Sequence, residues 1–212
     1  QKGLGPSNIK KYLDLFGWEQ KTGIDLPGEF KGFVPSPDWK KSVKNESWWD
    51  GDTYNLSIGQ SDLRVTPMHV AVAYGAIANG GKLYQPQIVQ KIIDGSPNDN
   101  TAQTIQEFTP KVMGQNFIDK ENLKIVREGM FDGAQKSYGS SYMLHNLPVK
   151  VAAKTGTVEI GKEGHYNTWV SAFAPYEDPE IVLVITIEDV EGLRAATVPV
   201  AYDVLQYYFT RK

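Results

Sequence analysis

The sequence predicts an α+β fold, an antiparallel sheet flanked by helices, and three observations lead there. The last third holds three apolar stretches of strand length, at 149–157, 166–174 and 181–188. Within the second, Thr168-Trp169-Val170-Ser171-Ala172-Phe173 alternates in polarity, as a half-buried antiparallel strand does. The proline-bounded segment 175–179 is a tight connection between the second and third, so the two read as a hairpin.

The remaining elements follow from local signals. Residues 7–16 read as a short helix, with Ser7 as its cap and Ile9, Tyr12, Leu13 and Phe16 at helical spacing before Gly17 stops it. From 18 to 55 the periodicity dissolves into Gly, Pro and aromatic residues. Trp39, Trp48 and Trp49 in that stretch favour packing over disorder, and Trp48, Trp49 and Trp169 are expected in the core. Residues 56–60 lead through a turn to Thr66-Pro67, an N-cap followed by proline at the first helical position. The helix that follows to Ala78 is apolar nearly all round, which predicts burial, and Asn79-Gly80-Gly81 ends it. Residues 83–93 look extended and 94–104 read as a polar surface loop. A helix is expected over 119–134, with Leu123, Ile125, Val126, Met130 and Phe131 on its buried face, and a last one over 198–209.

Composition narrows the function. The 212 residues suit one fairly large domain, or a domain with a small appendage. The net charge of -3, with no basic stripe, gives no footprint for a nucleic-acid partner. With no cysteine there are no disulfides, thiolate metal sites or cysteine nucleophiles. No apolar run approaches the ~20 residues that cross a bilayer. Because the chain starts at Gln1, it is expected to be cut from a longer polypeptide.

The chemistry concentrates in Lys154-Thr155-Gly156-Thr157, at the end of the apolar run from Val149. A strand ending this way gathers a cation, two hydroxyls and a glycine in one patch. The glycine lets a ligand backbone lie against the strand, and alternate positions face opposite ways. Elsewhere the signals are weaker. His69, His145 and His165 lack metal-ligand spacing. His69 is expected as a satisfied core histidine, and His165 is a candidate for the rim of a cleft. Asp25, Glu29, Asp50 and Asp52 show no paired-carboxylate pattern, and no metal or cofactor is expected.

Several blocks together resemble the class B penicillin-binding proteins, of the penicillin-binding protein 2 type. They are Phe16-Gly17 with Lys21-Thr22-Gly23-Ile24-Asp25-Leu26-Pro27-Gly28-Glu29; Asn55-Leu56-Ser57-Ile58-Gly59-Gln60; Val65-Thr66-Pro67-Met68; Ala76-Ile77-Ala78-Asn79-Gly80-Gly81; Lys154-Thr155-Gly156-Thr157; and the strand from Trp169 ending in Phe173-Ala174-Pro175. The resemblance implies a β-lactamase/transpeptidase-like sheet between helices. It also implies a reaction: a serine attacks the D-Ala-D-Ala of a peptidoglycan stem peptide, forms an acyl-enzyme and passes the acyl group to an amine. β-Lactam antibiotics mimic the donor. By the same resemblance Lys154 supplies positive potential and helps proton transfer. Thr155 and Thr157 bind the ligand carboxylate, Gly156 allows close approach, and the Thr157 N–H forms half of an oxyanion hole. The implied location is the extracytoplasmic face of the bacterial cytoplasmic membrane, with the anchor absent from this chain. The implied partners are stem peptides, β-lactams, cell-elongation proteins and the missing N-terminal part of the same protein.

The chain departs from the family in one respect. Ser-x-x-Lys and Ser-x-Asn, which supply nucleophile, base and their neighbour, should precede the Thr22–Glu29 block. The spellings Ser7-Asn8-Ile9-Lys10 and Ser96-Pro97-Asn98 do not fit that order. Residues 1–212 are therefore expected to be the C-terminal part of a transpeptidase domain, with no nucleophile and inactive alone. Apolar surface around Val151, Val170, Val184 and the 68–78 helix is expected to be left uncovered. A β-lactamase or β-lactam sensor of the same fold, or a non-catalytic binding module, are the alternatives.

Overall fold

The computed structural model describes residues 3–96 and 102–211. Its elements are α1 (Gly5–Leu15), a short helical turn α2 (Pro37–Trp39) continuing into a π-helical turn (Lys40–Lys44), α3 (Asp50–Ser57) and α4 (Pro67–Ala78). Then come β1 (Lys82–Tyr84), β2 (Lys91–Asp94), β3 (Gln103–Glu107), β4 (Val112–Gln115) and α5 (Lys120–Gln135). After a 3₁₀ turn (Tyr142–Asn146) the chain closes with β5 (Ala152–Glu159), β6 (His165–Ala174), β7 (Ile181–Glu191) and α6 (Thr197–Thr210).

The main sheet is antiparallel in the order β5-β6-β7, which leaves β5 at an edge; β1 pairs with β4 and β2 with β3 as two-stranded ribbons. Directly opposed residues share a face, so the register sorts the core into two layers. Val151, Ala153, Val170, Ala172 and Ala174 pack with Leu144, Leu147 and the α6 residues Val198, Ala201 and Leu205. Ala152 and Phe173, on the other face, pack with Ala78 of α4 and Met130 of α5. α5 runs along the edge strand, and α4 lies against β6 and β7. Its Thr66 cap is present, and no residue from Met68 to Ala78 is exposed, as the all-round apolar pattern predicts.

Several expectations need correction. Ser7 is not a cap: the helix starts earlier, and Pro6-Ser7 lie in its first turn. A regular helix, α3, occupies part of the stretch read as irregular, and its N-terminal side is closed by Asp52 accepting from the Trp49 amide at 2.7 Å. Asp50 and Asp52 suit a first turn electrostatically, but the apolar period that would reveal the helix is absent. Trp49 is 69% exposed and so is no core residue. Ile125 and Val126 face outward, and the buried face of α5 is Leu123, Met130 and Ala134. β3 and β4 carry no sequence signal, because β3 is exposed at every position and β4 at every position but Gly114, with no alternation to read. Val151 and Val170, expected to be bare, are fully buried by α6 and the 3₁₀ turn. Pro97 and Asn98 lie outside the described residues.

Candidate active site

β5 changes character along its length. Its approach, Val151 to Ala153, is wholly buried, Lys154 is exposed, and Thr155 through Val158 are half-buried. The C-terminal end of α5 covers the first half, where Gln135 Nε2 donates to the Val151 carbonyl at 3.2 Å. α5 stays close as far as the Ala153 carbonyl, and beyond it Ser140, of the turn after α5, reaches the strand at Thr155. Opposed pairs Lys154–Ser171 and Gly156–Trp169 lie on the α4 side, and Thr155–Val170 and Thr157–Thr168 on the α6 side. The cation and the hydroxyls thus flank one open strand edge from its two faces.

The hydroxyls have partners. Thr155 Oγ1 and Ser140 Oγ are 2.7 Å apart. Thr157 Oγ1 donates to the Arg194 carbonyl at 2.7 Å. The Arg194 guanidinium donates to the Tyr166 hydroxyl at 3.1 Å and lies 5.0 Å from the centre of that ring. The Lys154 ammonium donates to the Thr155 carbonyl and, among the described residues, joins no ion pair. A Cβ on Gly156 would meet nothing closer than Trp169 Cβ at 3.4 Å, an ordinary contact, so packing within this chain does not demand glycine there. Ser140, Tyr166 and Arg194 escape a motif search because they come from three separated segments. Only the strand register and the turn after α5 bring them to β5.

Other candidates resolve as structure. His69 is buried, with Nδ1 2.8 Å from Thr66 Oγ1 and Nε2 2.7 Å from the Gln20 carbonyl, a satisfied core histidine. His165 is buried opposite Glu191 at the far end of the hairpin, with Nδ1 2.6 Å from Asp189, away from Lys154. Ser7 is exposed, and Lys10 is committed to Asp14 and Glu19. Burial alone would lower the Lys10 pKa, but hydrogen bonds and charges from Glu19 and Asp14 outweigh it and hold the ammonium above its ordinary value. A cation so held is no base for a serine.

The Thr22–Glu29 block turns out to be a pair of clamps. The Glu29 carboxylate accepts from the Thr22 amide at 2.6 Å, the Thr22 hydroxyl and the Gly23 amide at 3.0 Å. Asp25 accepts from the Ile88 and Val89 amides at 2.7 and 2.9 Å, tying the loop to the segment between β1 and β2. A cavity of about 590 Å³ lies along α1 and residues 36–38, and one of about 300 Å³ lies between α1, β1 and β4. Neither is lined by any of residues 154–157. Among the described residues no three His, Asp or Glu side chains converge to hold a metal. No helix among them is long and apolar enough to cross a membrane.

With this geometry in place, comparisons place the chain among known proteins. The family profile described as penicillin binding protein transpeptidase domain matches residues 1–206. The peptidoglycan D,D-transpeptidase MrdA of Salmonella typhimurium is 29% identical over 97% of this chain and 35% of that protein. Penicillin-binding protein 2A of Bacillus subtilis is 28% identical over 96% and 29%. Among solved structures, penicillin-binding protein 2 of Helicobacter pylori superposes with a TM-score of 0.75 at 29% identity, covering 97% of this chain and 36% of that one. The same Helicobacter protein is also known in complex with MreC, and that structure superposes with a TM-score of 0.72. The chain spans about a third of the length of the curated relatives it matches.

Proposed function

The chain belongs to the penicillin-binding protein transpeptidase family, and we propose that residues 1–212 are the C-terminal part of a serine D,D-transpeptidase domain that cross-links peptidoglycan stem peptides. The observation that carries this reading is the strand edge: a buried β5 that becomes accessible at Lys154 and presents Lys154, Thr155, Gly156 and Thr157 along one edge of the sheet. In this reading the nucleophilic serine and its lysine, with the Ser-x-Asn motif, come from residues outside these 212.

Each exposed group then has a task. Lys154 contributes positive potential and assists proton movement between nucleophile and leaving group. Thr155 and Thr157 turn their hydroxyls to the carboxylate of the donor peptide or of a β-lactam, and Thr157 does so by giving up the Arg194 carbonyl. Gly156 keeps the strand bare where the ligand backbone lies, which fits the lack of any internal packing reason for glycine. The Thr157 N–H is one oxyanion donor and the serine's own N–H the other. Loss of one such donor costs ~10²–10³ in rate, so this chain alone is inactive twice over.

By extension from the relatives, the protein acts at the extracytoplasmic face of the cytoplasmic membrane, held by an anchor outside this chain. It works with cell-elongation proteins of the kind that the MreC complex represents, and is a β-lactam target. Fluorescent-penicillin labelling of the 212-residue chain and of the longer polypeptide tests the proposal. The expected result is a stable label on the longer protein and none on the chain. A label on the chain, above all at Ser7, would overturn the division of motifs. Rapid release of hydrolysed penicillin by the longer protein would point to a β-lactamase, and no label on either to a binding module.

A further inference from the structure

We propose that Ser140 is a positioning residue of this site, holding the Thr155 hydroxyl in the orientation that a ligand carboxylate requires; this rests on the transpeptidase reading above. Ser140 lies outside the blocks through which the sequence resembles the family. It reaches the site because its turn is mounted rigidly on the end of α5. Its neighbour Ser141 is fully buried, with its amide 3.1 Å and its hydroxyl 2.8 Å from the Gly133 carbonyl. On the other side, a Cβ on Gly139 would lie 2.2 Å from that same carbonyl oxygen, so only glycine permits the approach. Gly133 in turn sits so close to β5 that its own Cβ would be 3.0 Å from the Ala153 carbonyl. Three successive close approaches thus fix the height of Ser140 over the strand, and its hydroxyl meets Thr155 at 2.7 Å.

The hydrogen-bond inventory then determines the direction. A hydroxyl has one proton and two acceptor sites. When Thr155 gives its proton to a carboxylate, the only role left to Ser140 at 2.7 Å is to donate to Thr155 Oγ1. That donation restricts the Thr155 rotor and polarises its O–H, a short cooperative chain from Ser140 to Thr155 to ligand. Ser140 itself is exposed and covers no core surface, so removing its hydroxyl leaves the fold intact.

The test uses the full-length protein and benzylpenicillin, with the dissociation constant of the initial complex and the limiting acylation rate constant measured separately. Ser140→Ala is expected to weaken the initial complex about three- to tenfold, the size of one net hydrogen bond, with the acylation rate constant and melting temperature unchanged. Ser140→Thr is expected to restore binding. In a Thr155→Ala background, Ser140→Ala is expected to add nothing, because its action passes through Thr155. An undiminished effect in that background, or no effect in the parent, overturns the proposal while the transpeptidase reading stands. If Lys154→Ala acylates like the parent, the site is misassigned and both readings fall.

Discussion

The sheet region and the irregular stretch 16–66 are held together by different forces. In the sheet, two apolar layers close over β5, β6 and β7, with Val151, Val170, Phe173, Ala201 and Leu205 fully buried. Between 16 and 66 the buried apolar side chains are Val34, Pro35 and Leu56. Charged and polar contacts do the rest. Lys40 pairs with Asp52 at 2.7 Å and Glu46 at 3.5 Å, Glu19 joins Lys10 to the Val34 amide, and Glu29 and Asp25 clamp backbone amides. Apolar burial does not change with the protonation of carboxylates, whereas hydrogen bonds to carboxylates need the charged form. The candidate site is built on the region held chiefly by apolar burial.

The largest effect should come from the sheet. Phe173→Ala removes a fully buried ring from the α4 face and is expected to cost ~3–5 kcal/mol, read as a lower denaturation midpoint in the far-ultraviolet circular dichroism of the sheet. An unchanged midpoint would show that apolar burial on that face does not carry the sheet's stability. Arg127 comes next. Its guanidinium donates to the Ile77, Ala78 and Tyr176 carbonyls and lies 4.8 Å from the Phe173 ring centre, joining α4 to the β6–β7 turn. Arg127→Met keeps most of the stem but leaves those carbonyls without their donor, for an expected cost of ~1.5–3 kcal/mol. A neutral result would mean that α4 is held by apolar contact alone.

The smallest and most selective effect is that of acid. Burial would raise the pKa of Glu19 and of Glu29, but hydrogen bonds from Lys10 and the Val34 amide, and from Thr22 and Gly23, outweigh it and leave both below the usual range. The Val89 and Ile88 amides lower Asp25, and Lys40 with the Trp49 amide lowers Asp52. Groups lowered in this way stabilise the fold above their unfolded pKa near 4 and lose that contribution as pH falls through the folded values. Lys10 and Lys40 are raised, so their contribution holds below about 10.5 and fades only as pH climbs through the folded values. Four of the five tryptophans, Trp18, Trp39, Trp48 and Trp49, lie in 16–66, and only Trp169 is in the sheet. Tryptophan fluorescence should therefore shift between pH 4 and lower values before the far-ultraviolet circular dichroism of the sheet changes. Coincident transitions would contradict the contrast.

The same contrast explains what could be read in advance. Strands β5 to β7, α4 and α6 follow from apolar pattern because burial decides them, and the Lys154–Thr157 edge was legible as the end of a buried run. α3 and the clamps of Asp25 and Glu29 were not legible, because a carboxylate's partners are backbone amides that leave no trace in spelling. Ile125 and Val126 were misplaced for the opposite reason: both are apolar but lie on the open side of α5. Ser140 and Arg194 reach the site through turns whose paths depend on tertiary contact.

Two lysines, Lys154 of the strand edge and Lys10 of the Ser7-Asn8-Ile9-Lys10 spelling that does not fit the motif order, give the most direct test. Lys154 stands on the open edge without an ion pair among the described residues, and Lys10 is locked to Asp14 and Glu19. In the full-length protein, Lys154→Ala is expected to slow acylation by benzylpenicillin about a hundredfold or more with its melting temperature unchanged, and Lys10→Ala to leave the acylation rate as it was. An unaltered rate in Lys154→Ala, or its collapse in Lys10→Ala, would contradict the placement of the catalytic edge at β5.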